Sequence, residues 1–181
     1  MKGLMLLADY FEDIEALATA DLLRRAKIDI ELVSMTNSRT VVSQGNLKLQ
    51  VRKLVSEIKL DNFDFLVIPG GKAVSLTHLN SELTKSIVMH FENKKQLIAA
   101  ICAAPAILGQ LGILKNKNFT CFPSFEKYAS DGKYRFKKDV IVDGNIITSK
   151  AAGTTFDFAY QIITYLKGKD KATEVRKEIF N

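Results

Sequence analysis

Short apolar runs alternate along the chain with longer segments in which apolar residues recur every three or four positions, the pattern of a parallel sheet covered by helices. The short runs predict strands at Gly3–Ala8, Ile28–Ser34, Phe63–Ile68, Leu97–Ile101 and Asn145–Thr148. Between them, Ile14, Leu17, Ala18 and Leu22 share one stripe of a helix over Asp13–Ala26. Leu83, Ile87, Val88 and Phe91 mark a second helix, and Phe156, Ala159, Ile163 and Leu166 a third after Gly153. A last helix is expected near Lys171–Phe180. Thr40–Val42 and Leu47–Val51 flank Ser43-Gln44-Gly45-Asn46 and predict a small hairpin between the second and third strands. The expected product is a flavodoxin-like, doubly wound, mostly parallel sheet with helices on both faces and a hairpin appendage.

Length and composition narrow this reading. With 181 residues, 47% of them hydrophobic, the chain suits one domain over residues 1–181 with a single sizeable core. The net charge of +6 comes from scattered lysines such as Lys48, Lys53, Lys94, Lys95, Lys115 and Lys117. The basic run Lys167–Lys177 is interrupted by Asp170 and Glu174 and reads as a solvated helix face, so binding to nucleic acid is not required. The opening apolar run ends at Asp9, too soon for a signal peptide, and no run reaches the about 18 apolar residues of a membrane span. The cytoplasm is the expected compartment. Two cysteines, Cys102 and Cys121, make no disulfide framework, and in that compartment they stay reduced.

In an open α/β sheet, ligands bind outside the carboxyl ends of the strands, which directs attention to the residues just after each strand. The run Gln96 to Leu108 reads as a buried strand, a sharp turn at Cys102-Ala103-Ala104, and a helix of small residues. Such an elbow exposes the side chain at the strand tip to the positive end of the next helix, favouring thiolate over thiol. The alternative is that Cys102 is one more small core residue. Gly70-Gly71 ends the third strand, either as an ordinary tight turn or as a backbone donor. In the second case the amides of Gly71 and Ala103 make a two-donor oxyanion hole beside Cys102. Glu15 lies on a stripe with Thr19, Leu22 and Ala26. It reads either as a helix-dipole carboxylate, like Glu12 and Asp13, or as a partly buried general acid and base beside the thiol. His78 and His90 fall in helical segments away from the strand ends, so neither is placed as the base of a cysteine. No His/Cys pair has ligand spacing, and no metal is expected.

Taken together, Phe11-Glu12-Asp13-Ile14-Glu15, Val67-Ile68-Pro69-Gly70-Gly71, Ala99-Ala100-Ile101-Cys102-Ala103-Ala104-Pro105 and Thr148 through Phe156 resemble the ThiJ/PfpI superfamily, and within it the Parkinsonism-associated deglycase branch. The resemblance spans nearly the whole chain in order. It implies a homodimer, a reactive elbow cysteine at Cys102, a protonated Glu15 donating to its sulfur, and an oxyanion pocket from Gly71 and Ala103, with Gly70 beside them. Two positions depart from it. Phe122 stands before Pro123 where animal members of the branch carry histidine, and Lys150-Ala151-Ala152 replaces a frequent Arg-Gly-Pro. Ala103 follows the cysteine where the peptidase members place a histidine, which removes the base a peptidase needs.

The activity the resemblance implies is cofactor-free turnover of small α-oxoaldehydes such as glyoxal and methylglyoxal, free or as early adducts on protein side chains. A different class uses the same residues. In it Cys102 oxidises to sulfenic and then sulfinic acid beside Glu15, and the protein acts as an oxidative-stress sensor or chaperone.

Overall fold

The computed structural model describes residues 1–180. Its elements run β1 (Lys2–Leu7), α1 (Asp13–Arg25), β2 (Asp29–Ser34), β3 (Thr40–Val42), β4 (Lys48–Gln50), β5 (Lys53–Leu54), β6 (Phe65–Ile68), α2 (Ala73–Leu76) and α3 (Glu82–Asn93). They continue with β7 (Leu97–Ile101), α4 (Pro105–Gln110), β8 (Asn118–Phe119), β9 (Lys133–Tyr134), β10 (Val140–Asp143), β11 (Ile146–Ser149), α5 (Thr155–Lys167) and α6 (Lys169–Glu178).

One seven-stranded sheet holds the order β10-β11-β7-β6-β1-β2-β5, parallel throughout except where β10 pairs antiparallel with β11. The five strands expected from the apolar runs occupy its centre, in the order second, first, third, fourth, fifth of a flavodoxin-like fold. Because successive strand side chains point to opposite faces and both faces are covered, β1 divides its residues between two cores. Met5 and Leu7 pack with Ala16, Leu23, Phe158 and Ile162 under α1 and α5. Leu4 and Leu6 pack with Val88, Phe91 and Ile107 under α3 and α4. The expected hairpin forms as β3 paired with β4, outside the main sheet.

Several boundaries and faces differ from expectation. The third strand starts at Phe65, because the Phe63 N–H turns back onto the Leu60 carbonyl. In α1 the expected stripe is rotated. Ile14 (51% accessible) and Leu17 lie exposed, and Ala16, Ala20 and Leu23 face inward, where the small alanines let α5 approach. Phe156 and Leu83 are likewise exposed, replaced in the core by Phe158 and Thr84. The terminal helix begins at Lys169, one residue after Gly168 breaks away from α5. The edge strand β10 has no counterpart among the expected strands, although Asp143-Gly144-Asn145 between two β-branched runs is a hairpin signal, with Gly144 at φ 64°.

Candidate active site

The buried strand β7 delivers Cys102 at its tip. Cys102 sits at φ 64°, a left-handed conformation that costs an L-residue about 1–2 kcal/mol and persists only where surroundings fix it. Here both backbone polar groups are tied. The Cys102 N–H donates to the Ser149 carbonyl at 2.9 Å, and the Cys102 carbonyl accepts from the Phe122 N–H at 2.7 Å. The helix after the elbow, α4, opens with Pro105 at its first position, whose missing N–H would have had no partner there.

The loops after β1 and β6 are stitched together beside this thiol. Glu12 N–H donates to the Gly70 carbonyl at 3.2 Å and Ala73 N–H to the Tyr10 carbonyl at 3.1 Å, with Phe11 bridged to Gly71. Gly71 adopts φ 90°, and a Cβ there would stand 2.4 Å from the Tyr10 carbonyl oxygen, so only glycine fits. Glu12 caps α1 by accepting from the Glu15 N–H at 2.7 Å. Asp13 is spent differently, accepting from the Ser43 hydroxyl and from Gly45 N–H, which docks the hairpin turn on the site.

Glu15 is fully buried, its Oε2 accepting from Gly70 N–H at 2.7 Å, while Oε1 has no partner within hydrogen-bond reach. Its place in the first turn of α1 keeps it near the helix dipole, and its burial beside the thiol is what the acid–base reading requires. Desolvation dominates its titration and pushes the carboxyl up to about 7; the Gly70 amide pulls against this and Glu12 adds to it. Cys102 is moved in the same direction. Burial first, and then the Glu15 charge, raise its thiol against the pull of the Gly71 and Ala103 amides, which point at the sulfur. The thiolate preference expected from the elbow is therefore corrected: burial and the Glu15 carboxylate outweigh the two amides. Two anions cannot share this site, so carboxyl and thiol titrate as one coupled unit.

Cys102 opens onto a cavity of about 440 Å³. Glu15, Gly71 and Ala103 line it with the cysteine, and Gly70 lies immediately beneath, an added Cβ there falling 3.1 Å from Sγ. Further lining residues went unnoticed in the sequence. Gln44 reaches in from the hairpin and accepts from the Lys72 N–H at 3.0 Å; Ser75 and Phe125 complete the rim. Ala151 and Ala152, at the departure from the family pattern, also line it, as does Phe122. The hairpin was the available signal for Gln44, since a polar turn beside two strand ends has to land near them. A larger groove of about 530 Å³ runs between α1, β2 and β4, but its charged side chains lie far from any nucleophile and take part in surface pairs such as Lys2 with Glu31.

Neither histidine reaches the thiol. His78 is buried against Thr84, at 3.1 Å, and desolvation pushes its ring down to about 4. His90 stacks edge-on with Phe91. Cys121 is buried, its thiol pushed up to about 12 by desolvation and by Glu126. Among the described residues no group of three or more His, Cys, Asp and Glu side chains is placed to hold a metal ion, and no helix is long and apolar enough to cross a membrane.

The chain as a whole is similar to known proteins. The chain is 34% identical over 177 residues to Protein dj-1beta of Drosophila melanogaster, covering 97% of this chain and 95% of that one. The crystal structure of that protein superposes with a TM-score of 0.93, covering 99% and 97% of the two chains at 33% identity. A Caenorhabditis elegans protein named glutathione-independent glyoxalase DJR-1.2 is 30% identical over 172 residues, 93% of this chain and 89% of that one. The oxidised DJ-1 of Toxoplasma gondii superposes with a TM-score of 0.91 at 27% identity, covering 99% and 97%. Residues 1–165, which hold the buried glutamate, the paired glycines and the cysteine elbow, match in sequence as well as in shape, and on that match the chain belongs to the DJ-1/PfpI family.

Proposed function

We propose that the protein is a cytoplasmic, cysteine-dependent deglycase or glyoxalase acting on small α-oxoaldehydes, free or as early adducts on protein side chains. One observation carries this reading: a thiol, a buried carboxyl poised near neutral pH and two backbone amides converge at the mouth of one cavity. The name of the nematode relative supports it.

In the reactive state the proton rests on Glu15 and the charge on Sγ, where the Gly71 and Ala103 amides already point. The thiolate adds to the aldehyde carbon, and the amides pass to the oxygen that becomes negative one bond away. Glu15 supplies the proton that makes this a hemithioacetal. Its carboxylate then removes the proton on the former aldehyde carbon and returns one to the neighbouring carbonyl carbon. The first carbon gives up the two electrons that the second gains, and the hydroxyl proton passes from the first oxygen to the second, leaving a 2-hydroxy thioester. Water hydrolyses it, releasing the hydroxy acid and the thiol. No cofactor is required because the electron pair moves within the substrate. We take the working unit to be a homodimer, for which the exposed Ile14 and Leu17 of α1 offer apolar surface.

A second reading is favoured by the aim of the two amides at the sulfur itself, an arrangement that would also hold a sulfinate. One experiment separates the two. Purified protein is incubated with methylglyoxal without glutathione, before and after mild peroxide, while lactate formation and the mass of the Cys102 peptide are followed. For an enzyme, lactate forms from unoxidised wild type and not from Cys102→Ser, and falls in step with a gain of two oxygens. Negligible turnover, with suppression of client aggregation gained on oxidation, supports the sensor instead.

A further inference from the structure

The cavity at Cys102 is far larger than free glyoxal or methylglyoxal needs. Methylglyoxal has five heavy atoms, and even at the about 30 Å³ that each water occupies in the liquid they fill about 150 Å³. The cavity measures about 440 Å³, within the range of about 300–1,000 Å³ typical of sites for larger organic ligands. What fills the difference is indicated by the wall. Phe122 is 44% accessible and lines the cavity with Cys102, and its backbone N–H, bound to the Cys102 carbonyl at 2.7 Å, ties its main chain to the elbow. Phe125 meets it edge-on, with ring centroids 6.5 Å apart and an interplanar angle of 69°. Ala151, Ala152 and Gly153 line the same cavity and contribute almost no side-chain bulk. The polar lining, from Gln44, Lys72 and Glu12, comes from the hairpin and the loops after β1 and β6, a different part of the chain from the aromatic pair.

We infer that Phe122 and Phe125 form a seat for an aromatic arm on the substrate, so that the protein selects aryl α-oxoaldehydes over glyoxal and methylglyoxal. This rests on the oxoaldehyde reading of the preceding subsection. A ring carried on the ketone carbon extends toward the aromatic pair while the aldehyde carbon reaches Sγ, and it meets Phe122 with the edge or offset geometry that aromatic pairs prefer. A methyl group in that place leaves both rings wet. The chemistry is unchanged: phenylglyoxal and water give mandelate by the same internal transfer of oxidation level.

The test compares kcat/KM for phenylglyoxal and methylglyoxal in wild type, Phe122→Ala and Phe122→Tyr, alongside calorimetric binding of mandelate and of lactate to Cys102→Ser with and without Phe122→Ala. The expected result is a preference of at least about tenfold for phenylglyoxal in wild type. It collapses in Phe122→Ala and is retained in Phe122→Tyr, and mandelate binds Cys102→Ser more tightly than lactate only while Phe122 is present. Equal specificity constants in wild type, or a preference that survives Phe122→Ala, overturns the inference. If wild type consumes neither aldehyde, the oxoaldehyde reading has failed, and the binding pair alone decides the aromatic seat: mandelate no tighter than lactate sinks it.

Discussion

Gly70 donates its backbone N–H to Oε2 of Glu15 at 2.7 Å, and a Cβ added at Gly70 would lie 2.7 Å from that same oxygen and 2.6 Å from the Cβ of Cys102. The glycine is at once the carboxyl's hydrogen-bond partner and the gap that lets carboxyl and thiol meet. Gly70→Ala is expected to keep the fold and drive the two groups apart. Misplacement by about 1 Å costs on the order of a hundredfold, so kcat/KM should fall by about that much with an unchanged far-UV spectrum. Turnover near wild type in Gly70→Ala would show that the contact is not needed.

Glu15 should cost stability at alkaline pH. Its carboxyl rises from 4.5 when exposed to about 7 in the fold. Below about pH 4.5 both states are protonated; between there and 7 only the folded protein keeps the proton, so stability falls as pH rises through that window and stays lower above it. At 1.36 kcal/mol per pH unit the difference is about 3 kcal/mol. Glu15→Gln should therefore stabilise the protein relative to wild type by about 3 kcal/mol more at pH 8 than at pH 4.5, read from urea denaturation. An equal effect at both pH values contradicts the burial-driven shift.

The same position separates hydrogen bonding from proton transfer. Glutamine can still donate to sulfur but cannot carry a proton, and leucine does neither. Glu15→Gln should lose about 100- to 10,000-fold in turnover while its thiol remains open to alkylation, and Glu15→Leu should lose both. Equal turnover in Glu15→Gln and wild type would take the carboxyl out of the reaction.

Coupling between the two groups also shapes the alkylation profile. Once the pair has given up its first proton, the share of molecules carrying the charge on sulfur rather than oxygen no longer depends on pH. Iodoacetamide should therefore modify Cys102 at a rate that rises near pH 7 and then levels off, in place of climbing through the ordinary thiol value of about 8.5. Cys121, fully buried, should react only when the protein unfolds. A rate for Cys102 that keeps rising tenfold per unit to pH 9 would mean the two groups titrate independently.

The central sheet was legible because its strands are buried on both faces and read as continuous apolar runs, β7 most clearly, with both ends as expected. Strand β10 was not, since Val140–Asp143 is short and half-buried, follows Asp139 and ends in Asp143. Helix α1 shows a second limit. Its sequence offers two apolar stripes, and only the approach of α5 decides that Ala16 and Ala20 go inward while Ile14 stays out. Of the residues lining the cavity, Cys102, Gly71 and Ala103 were legible because strand ends are informative positions, and Glu15 from its place on a stripe of α1. Phe125 was not, because it depends on how the loop after β8 folds over those ends, and for Gln44 the hairpin gave only a general direction. The direction of the Cys102 shift also escaped the sequence, which reveals the elbow but not how much water it excludes.

The strained backbone of Cys102 is held from one side by Ser149, on β11, and from the other by Phe122, beyond β8. Both clamps lie downstream of the residue they hold. During synthesis on the ribosome, a chain extended only through β7 and α4 has its cysteine but not the carbonyl or the amide that fixes it, and so it lacks the conformation on which every proposed step depends. Competence arrives only after Ser149 has cleared the exit tunnel and β11 has docked. A fragment that ends short of the fifth central strand therefore carries the cysteine without either clamp.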